Sequence, residues 1–169
     1  MYGKCKVVHI VAVGANGEIG AKGKLLWNIP EDLKFFREQT LGQVLLMGRK
    51  TYQGLPRPLT RRVIYPITHN PPYNDKNCTL SEGLSFASNM AQNFLMTNTI
   101  VIAGGGEIYK ATENIVDEVI LTQVNQNFPE ADTFYKLPEG FVLESDHVSD
   151  AVWNEKHGFI TFKRFVKKS

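Results

Sequence analysis

The run Gln43-Val44-Leu45-Leu46-Met47-Gly48-Arg49-Lys50-Thr51 passes from a wholly apolar stretch, through one glycine, into a basic helix start. A short segment that is apolar at every position suits a strand buried on both faces, as in a parallel sheet covered by helices. The same design recurs outward from it. Residues 6–13 are β-branched and apolar and stop at Gly14, residues 98–103 stop at Gly104-Gly105-Gly106, and residues 117–124 form a fourth run. Helical patterns alternate with these runs over 31–40, 50–55 and 81–96, with a short one from Glu107. Strands alternating with helices predict crossover units, and hence a largely parallel sheet with helices on both sides. Residues 141–146 and 159–166 are strand-like with no helical pattern between them, which predicts an antiparallel C-terminal edge. Leu84, Ala87, Met90, Ala91 and Phe94 share one face of the 81–96 helix, with Ser81 placed to cap it. The segment 70–75, which holds Pro71 and Pro72, is read as a surface loop.

Bulk properties narrow the setting. A chain of 169 residues with 43% hydrophobic content fits one well-packed domain over 1–169. Lys and Arg number 19 against 17 Asp and Glu, and the one dense basic cluster is the tail Lys163, Arg164, Lys167 and Lys168, so no nucleic-acid partner is implied. Cys5 and Cys78 have neither metal-type spacing nor a disulfide-rich context, which predicts free thiols in a reducing compartment and no metal site. The N-terminus lacks the pattern of a secretory signal, and no segment has the apolar length to span a bilayer, so a cytoplasmic protein is expected.

The candidate chemistry lies in Leu26-Trp27-Asn28-Ile29-Pro30-Glu31-Asp32-Leu33-Lys34-Phe35-Phe36. Pro30 and the acids Glu31 and Asp32 suit the first turn of a helix, where proline lacks only an unneeded donor and carboxylates meet the positive end of the dipole. Asp32 and Phe36 stand four residues apart on one face, so a ring-shaped ligand can stack on Phe36 while hydrogen-bonding to Asp32. Two strand-to-helix junctions offer anion sites. Gly48-Arg49-Lys50-Thr51 suits a phosphate, and Ala103-Gly104-Gly105-Gly106-Glu107-Ile108-Tyr109 suits a pyrophosphate approached closely by backbone. Neither has the first, third and sixth glycines of the standard dinucleotide fingerprint. Both stand at the carboxyl ends of strands, where ligands of open α/β sheets lie.

Taken in order, these segments resemble the dihydrofolate reductase family. The motifs are Ile10-Val11-Ala12 leading to Gly17-Glu18-Ile19-Gly20, Trp27 to Leu33, Met47 to Thr51, Leu55-Pro56-Arg57-Pro58-Leu59, Ile102 to Tyr109, Leu121-Thr122 and Asp132-Thr133-Phe134. The resemblance implies an eight-stranded, mostly parallel twisted sheet and NADPH-dependent reduction of 7,8-dihydrofolate to tetrahydrofolate, in an enzyme that binds antifolate inhibitors. Asp32 would then hold the pterin ring, Thr122 would bond that acid, and Trp27 would hold a water near it. Hydride would pass to C6 while a water protonates N5, with Asp32 acting electrostatically. Ala12, Leu33, Phe36 and Leu55 would form apolar walls, and Arg62, aided by Arg57, would pair with the substrate's glutamate carboxylate. On the cofactor side the match names Val11, Ile19, Gly20 and Leu25, then Gly48, Arg49, Lys50 and Thr51. It continues with Thr68 and His69 at the 2′-phosphate, and with Ala103, Gly104, Gly105, Gly106, Glu107, Ile108 and Tyr109. The Gly104-Gly105 pair is joined by a cis peptide in the family. Residues 15–26 would be a lid over the nicotinamide, contacted by Asp132, and its motion would limit turnover.

The chain departs from the family pattern in three places. Leu25-Leu26 stands where an apolar residue and a proline are usual, which removes a backbone restraint from the lid. Ala103 replaces a larger aliphatic residue and would widen the pocket beside the nicotinamide, lowering affinity for folate-like inhibitors. Tyr65-Pro66 falls within an expected strand and predicts a bulge. Two rival readings remain: a same-fold reductase of another substrate, such as a riboflavin-pathway pyrimidine, and a non-catalytic nucleotide-binding module. Trp27, Asp32 and Thr122 argue against the first, and the acid with both phosphate junctions argues against the second. A monomer is expected.

Overall fold

A computed structural model describes residues 1–21, 25–55, 57–68, 79–148 and 151–168. The element order is β1 (Lys6–Val13), β2 (Glu18–Gly20), α1 (Pro30–Thr40), β3 (Val44–Gly48), α2 (Arg49–Gln53), β4 (Val63–Ile67) and α3 (Leu80–Asn93). There follow β5 (Thr99–Ile102), α4 (Gly106–Ala111), β6 (Glu118–Val124), β7 (Thr133–Phe134), β8 (Phe141–Val148), β9 (Val152–Asn154) and β10 (Gly158–Lys167). The eight-stranded sheet runs β4-β3-β5-β1-β6-β10-β8, with β9 also paired to β10. The first five strands in that order are parallel, and β10 is antiparallel to β6, β8 and β9. The predicted parallel sheet with an antiparallel C-terminal edge is therefore the observed one. The separate β2-β7 ribbon was not expected.

The apolar runs divide between two layers. Val7, Val11 and Val13 of β1, Val44 and Leu46 of β3, Ile100 and Ile102 of β5, and Val119 and Leu121 of β6 face one layer, under Leu84, Ala87 and Ala91 of α3. Ile10, Leu45, Met47 and Val101 face the other, with Phe36 of α1 packed on them. Each fully buried Val, Leu or Ile contributes roughly 1.5–3 kcal/mol relative to exposure. Helices thus cover both faces. The α3 cap is Thr79, not Ser81: the Thr79 side chain accepts from the Glu82 amide at 3.1 Å, and Ser81 already lies inside the helix. Capping needs a residue just outside the first turn with extended backbone, which Thr79 has.

The expected bulge at Tyr65-Pro66 is absent. β4 pairs with β3 in unbroken register, Met47 opposite Pro66. β4 is the sheet edge, and Val63 donates its amide to Gln43 O at 3.0 Å, so alternation turns the Pro66 nitrogen away from β3. A proline there removes no ladder bond. Within the basic tail, Arg164 is paired with the buried Glu118, which Lys6 also meets at 2.9 Å, and with Glu144 at 3.1 Å. No described helix is long and apolar enough to cross a membrane. The 70–75 segment, Cys78 and Pro56 lie outside the described residues; Cys5 is a buried free thiol.

One buried polar group has a stability signature. His9 is fully buried, with Nδ1 3.0 Å from Tyr135 Oη and Nε2 2.7 Å from Thr112 Oγ1, and burial lowers its pKa to about 4. The unfolded chain takes up this proton near 6.5, whereas the folded one does so only near 4, so stability falls as pH drops through that window. Chemical denaturation followed by circular dichroism should show a loss of about 3 kcal/mol between pH 6.5 and 4 from this group. His9→Gln should flatten that part of the profile.

Candidate active site

The site begins with α1. Ile29, 1% exposed, anchors the turn from which Pro30 starts the helix, and Glu31 and Asp32 fill its acidic first turn. Asp32 Oδ1 accepts from Thr122 Oγ1 at 2.7 Å, joining α1 to β6. Thr122 is buried, lies in register with Ala12 of β1 on one side and Phe162 of β10 on the other, and shares their sheet face. Phe162 meets Phe35 edge-on, ring centroids 4.1 Å apart, which presses α1 onto this face. Burial raises the Asp32 pKa, and the Thr122 bond opposes that rise in part. Trp27 stands next to this acid's helix with its ring 5.0 Å from Phe128, in a cluster with Ile29, Val124 and Ile160.

An apolar strip continues from Asp32. Ile10, Met47 and Val101 form its floor, with Phe36, Leu55, Leu59 and Ala103 half-buried against it. Leu33 is 47% exposed beside them. At the far end of α1 lies a cationic pair that the sequence reading only half saw. Arg62 donates from Nε to Thr60 O at 2.9 Å and from Nη1 to Thr40 Oγ1 at 3.2 Å, and both burial and the charge of Arg37 lower its pKa. Arg37 reads from sequence as a solvated residue in the last turn of a helix, and only the fold brings it to Arg62. Arg57 is exposed. From Asp32 to Thr40 the helix spans roughly 12 Å.

The two glycine junctions form a single cradle. Gly48 donates its amide to Gly104 O at 2.7 Å, and Ala103 donates to Leu46 O at 2.9 Å, so the starts of α2 and α4 lie side by side. Gly104-Gly105 is joined by a cis peptide, and Gly104 has φ +105°, a conformation that side chains resist. A Cβ on Gly106 would sit 2.8 Å from Thr133 Cγ2, and one on Gly105 would sit 3.2 Å from Thr51 Oγ1. Glycine at these positions lets Thr133 and Thr51 pack directly against this backbone. Arg49 and Thr51 are half-buried here and Lys50 and Glu107 are exposed. The described residues therefore fit a phosphorylated cofactor.

The remaining residues expected on the cofactor side take the following places. The Val11, Ile108 and Tyr109 side chains belong to the opposite layer, and Tyr109 Oη donates to Ile10 O at 2.6 Å, supporting the cradle from beneath. Ile19 and Gly20 reach the cradle through β2, with Ile19 Cδ1 3.9 Å from a Cβ placed on Gly106. Asp132 donates its amide to Gly20 O at 3.0 Å, so that loop and the lid base do meet. Leu25 is 68% exposed, and Thr68 follows β4 directly. His69 and part of the lid, residues 22–24, lie outside the described residues.

A carboxylate beside an apolar ring site, a cationic end and a glycine cradle on one α/β sheet define a cofactor-dependent reductase of small heteroaromatic substrates. The family model for dihydrofolate reductase matches residues 6–164, and the chain belongs to that family. Dihydrofolate reductase of Enterococcus faecium is 34% identical over 159 residues, covering 90% of this chain and 87% of that protein. Dihydrofolate reductase type 8 of Escherichia coli is 32% identical over 165 residues, 94% of each. The Haemophilus influenzae enzyme is 31% identical over 126 residues, 75% of this chain and 76% of that one. Among solved structures, dihydrofolate reductase from Enterococcus faecalis complexed with NADP(H) and RAB-propyl superposes with a TM-score of 0.79, at 27% identity and full coverage of both chains. The chain is an NADPH-dependent oxidoreductase of this family.

The Thr122 hydroxyl stabilises the ionised form of Asp32. Titrating the Asp32 carboxyl by 13C NMR should give a higher midpoint in Thr122→Val than in wild type.

Proposed function

We propose that the chain binds 7,8-dihydrofolate along α1, with the pterin at Asp32, the aromatic spacer on Phe36 and Leu55, and the glutamate carboxylate at Arg62. The single observation that carries this reading is the layout of α1: a half-buried acid in its first turn and, roughly 12 Å along the helix axis, Thr40 holding the Arg62 guanidinium, with an apolar strip between. The Gly48 and Gly104 to Gly106 cradle, with Arg49, Lys50 and Thr51, would hold NADPH and its phosphates, and the bound cofactor would supply the hydride. Thr68 completes the grip on the added ribose phosphate.

Asp32 orients the ring by accepting hydrogen bonds, and Thr122 holds its Oδ1 in place. A carboxylate in a half-buried site favours positive charge on the adjacent ring, which raises the basicity of the substrate without the acid itself reaching the reacting nitrogen. Trp27 shields the acid on one side and positions the water that carries the proton. Its contact with Phe128 fixes the indole plane. The chain works as a single-domain monomer in the cytoplasm, on small-molecule partners alone.

NADPH oxidation with dihydrofolate should fall at least a hundredfold in Asp32→Asn. The same substitution should raise Tm at neutral pH. Asp32 has a raised pKa, so the folded state holds its proton to higher pH than the unfolded state, and its ionisation works against folding as pH rises. The gain should shrink on acidification. A variant with unaltered turnover would remove Asp32 from the reaction, whereas a folded, NADPH-binding wild type that oxidises no NADPH with dihydrofolate would favour a different substrate or a non-catalytic module. Arg62→Leu should raise KM for dihydrofolate about tenfold, in line with loss of a charge-assisted pair of ~1.5–3 kcal/mol, and leave KM for NADPH unchanged.

A further inference from the structure

A buried acid outside the reaction stands at the base of the lid. Glu18 is 2% exposed, although it lies in a glycine-rich segment where an acid reads as solvated. Its Oε2 accepts the Phe128 amide at 2.6 Å, and its Oε1 accepts the Asn16 amide. One carboxylate therefore bridges the segment 14–20 and the loop that follows β6.

The backbone around it forms a matching frame. Gly14 donates to Glu18 O at 2.9 Å, Ala15 to Gln126 O at 2.9 Å, Tyr135 to Gly17 O at 2.8 Å and Asp132 to Gly20 O at 3.0 Å. Gln123 Nε2 donates to Gly14 O at 2.8 Å. Within this frame the two oxygens of Glu18 reach both segments. Its position in the chain gives the clamp its reach. Ile19, the next residue, stands against Gly106, and Phe128 on the other side meets the Trp27 ring at a tilt of 45°.

We propose that Glu18 is a positioning residue for the cofactor side of the site: its bridge from Asn16 to Phe128 seats Ile19 and Gly20 against the Gly104 to Gly106 cradle. This role rests on the reading of that cradle as the NADPH site. Asp32 and Arg62 lie on α1 and on the segment leading into β4, outside the frame, so dihydrofolate binding should feel little of its loss.

Two variants test the role. Glu18→Gln keeps the shape but replaces one acceptor by a donor that faces an amide hydrogen. Gly14→Ala keeps the charge but places a Cβ 2.8 Å from Phe128 Cδ2 and 3.0 Å from the Glu18 carboxyl, which separates the two. In each, amide exchange at Phe128 should quicken at least tenfold and the NADPH Kd, read by tryptophan fluorescence, should rise about tenfold. KM for dihydrofolate should stay within twofold, since the substrate is anchored elsewhere. Faster exchange at Phe128 with an unchanged NADPH Kd would reduce Glu18 to a structural tie and overturn the proposal. An equal rise in both constants would do the same, because it marks general loosening. A wild-type protein that fails to bind NADPH would overturn the cofactor reading together with the role built on it, whereas failure of the variants alone overturns only the role.

Discussion

The two-sided pairing of β1 is the constraint on which the site depends. β1 runs parallel to β5 on one side and to β6 on the other, without a shift in register on either. That alignment puts Ala12 next to Thr122, and hence next to Asp32 of α1, while the end of β5 delivers Ala103 and the glycines at the same level. β3 then joins through the bond from Gly48 to Gly104. A slip of one residue would turn Thr122 to the other layer and leave Asp32 without its donor. The position of Asp32, the apolar strip and the cradle are thus products of a single register.

The site also shows how stability and chemistry oppose one another within a few residues. Asp32 is held among apolar groups where its charge is unfavourable, with one hydroxyl in compensation. Glu18 is buried more deeply, yet backbone amides on it outweigh the cost of burial and lower its pKa. The difference is one of donors: among the described residues Asp32 accepts from one hydroxyl, whereas both oxygens of Glu18 accept backbone amides from the two segments it ties together.

Much of this was legible in the chain. Glycine-closed apolar runs alternating with helical patterns gave the parallel sheet, and the proline and acids before Leu33 placed the start of α1. What could not be read was which side of a strand each residue takes. A run such as Lys6–Val13 is apolar at nearly every position because both faces are covered, so it lacks the alternation that would assign Val11 to one layer and Ala12 to the other. The same lack of alternation hid the packing of Ile108 and Tyr109, whose side chains lie in the layer beneath the cradle with Tyr109 Oη donating to Ile10 O. The link between Asp32 and Thr122, ninety residues apart, came from family resemblance alone. Arg37 went unnoticed, and Glu18 was seen only as part of a motif, because a charged residue on a helix end or in a loop looks solvated until tertiary contacts such as the Phe128 amide on Glu18 are known.

The outward-facing nitrogen of Pro66 bears on how molecules of this protein behave in company. β4 closes one side of the sheet, and an exposed edge with a full row of amide donors is a template on which a second chain can add its own strand. Pro66 leaves a gap in that row at the middle of a short strand, at no cost to the pairing with β3. Among the described residues, the residue that looks out of place in a strand thus takes one donor out of the row on which edge-to-edge growth would depend.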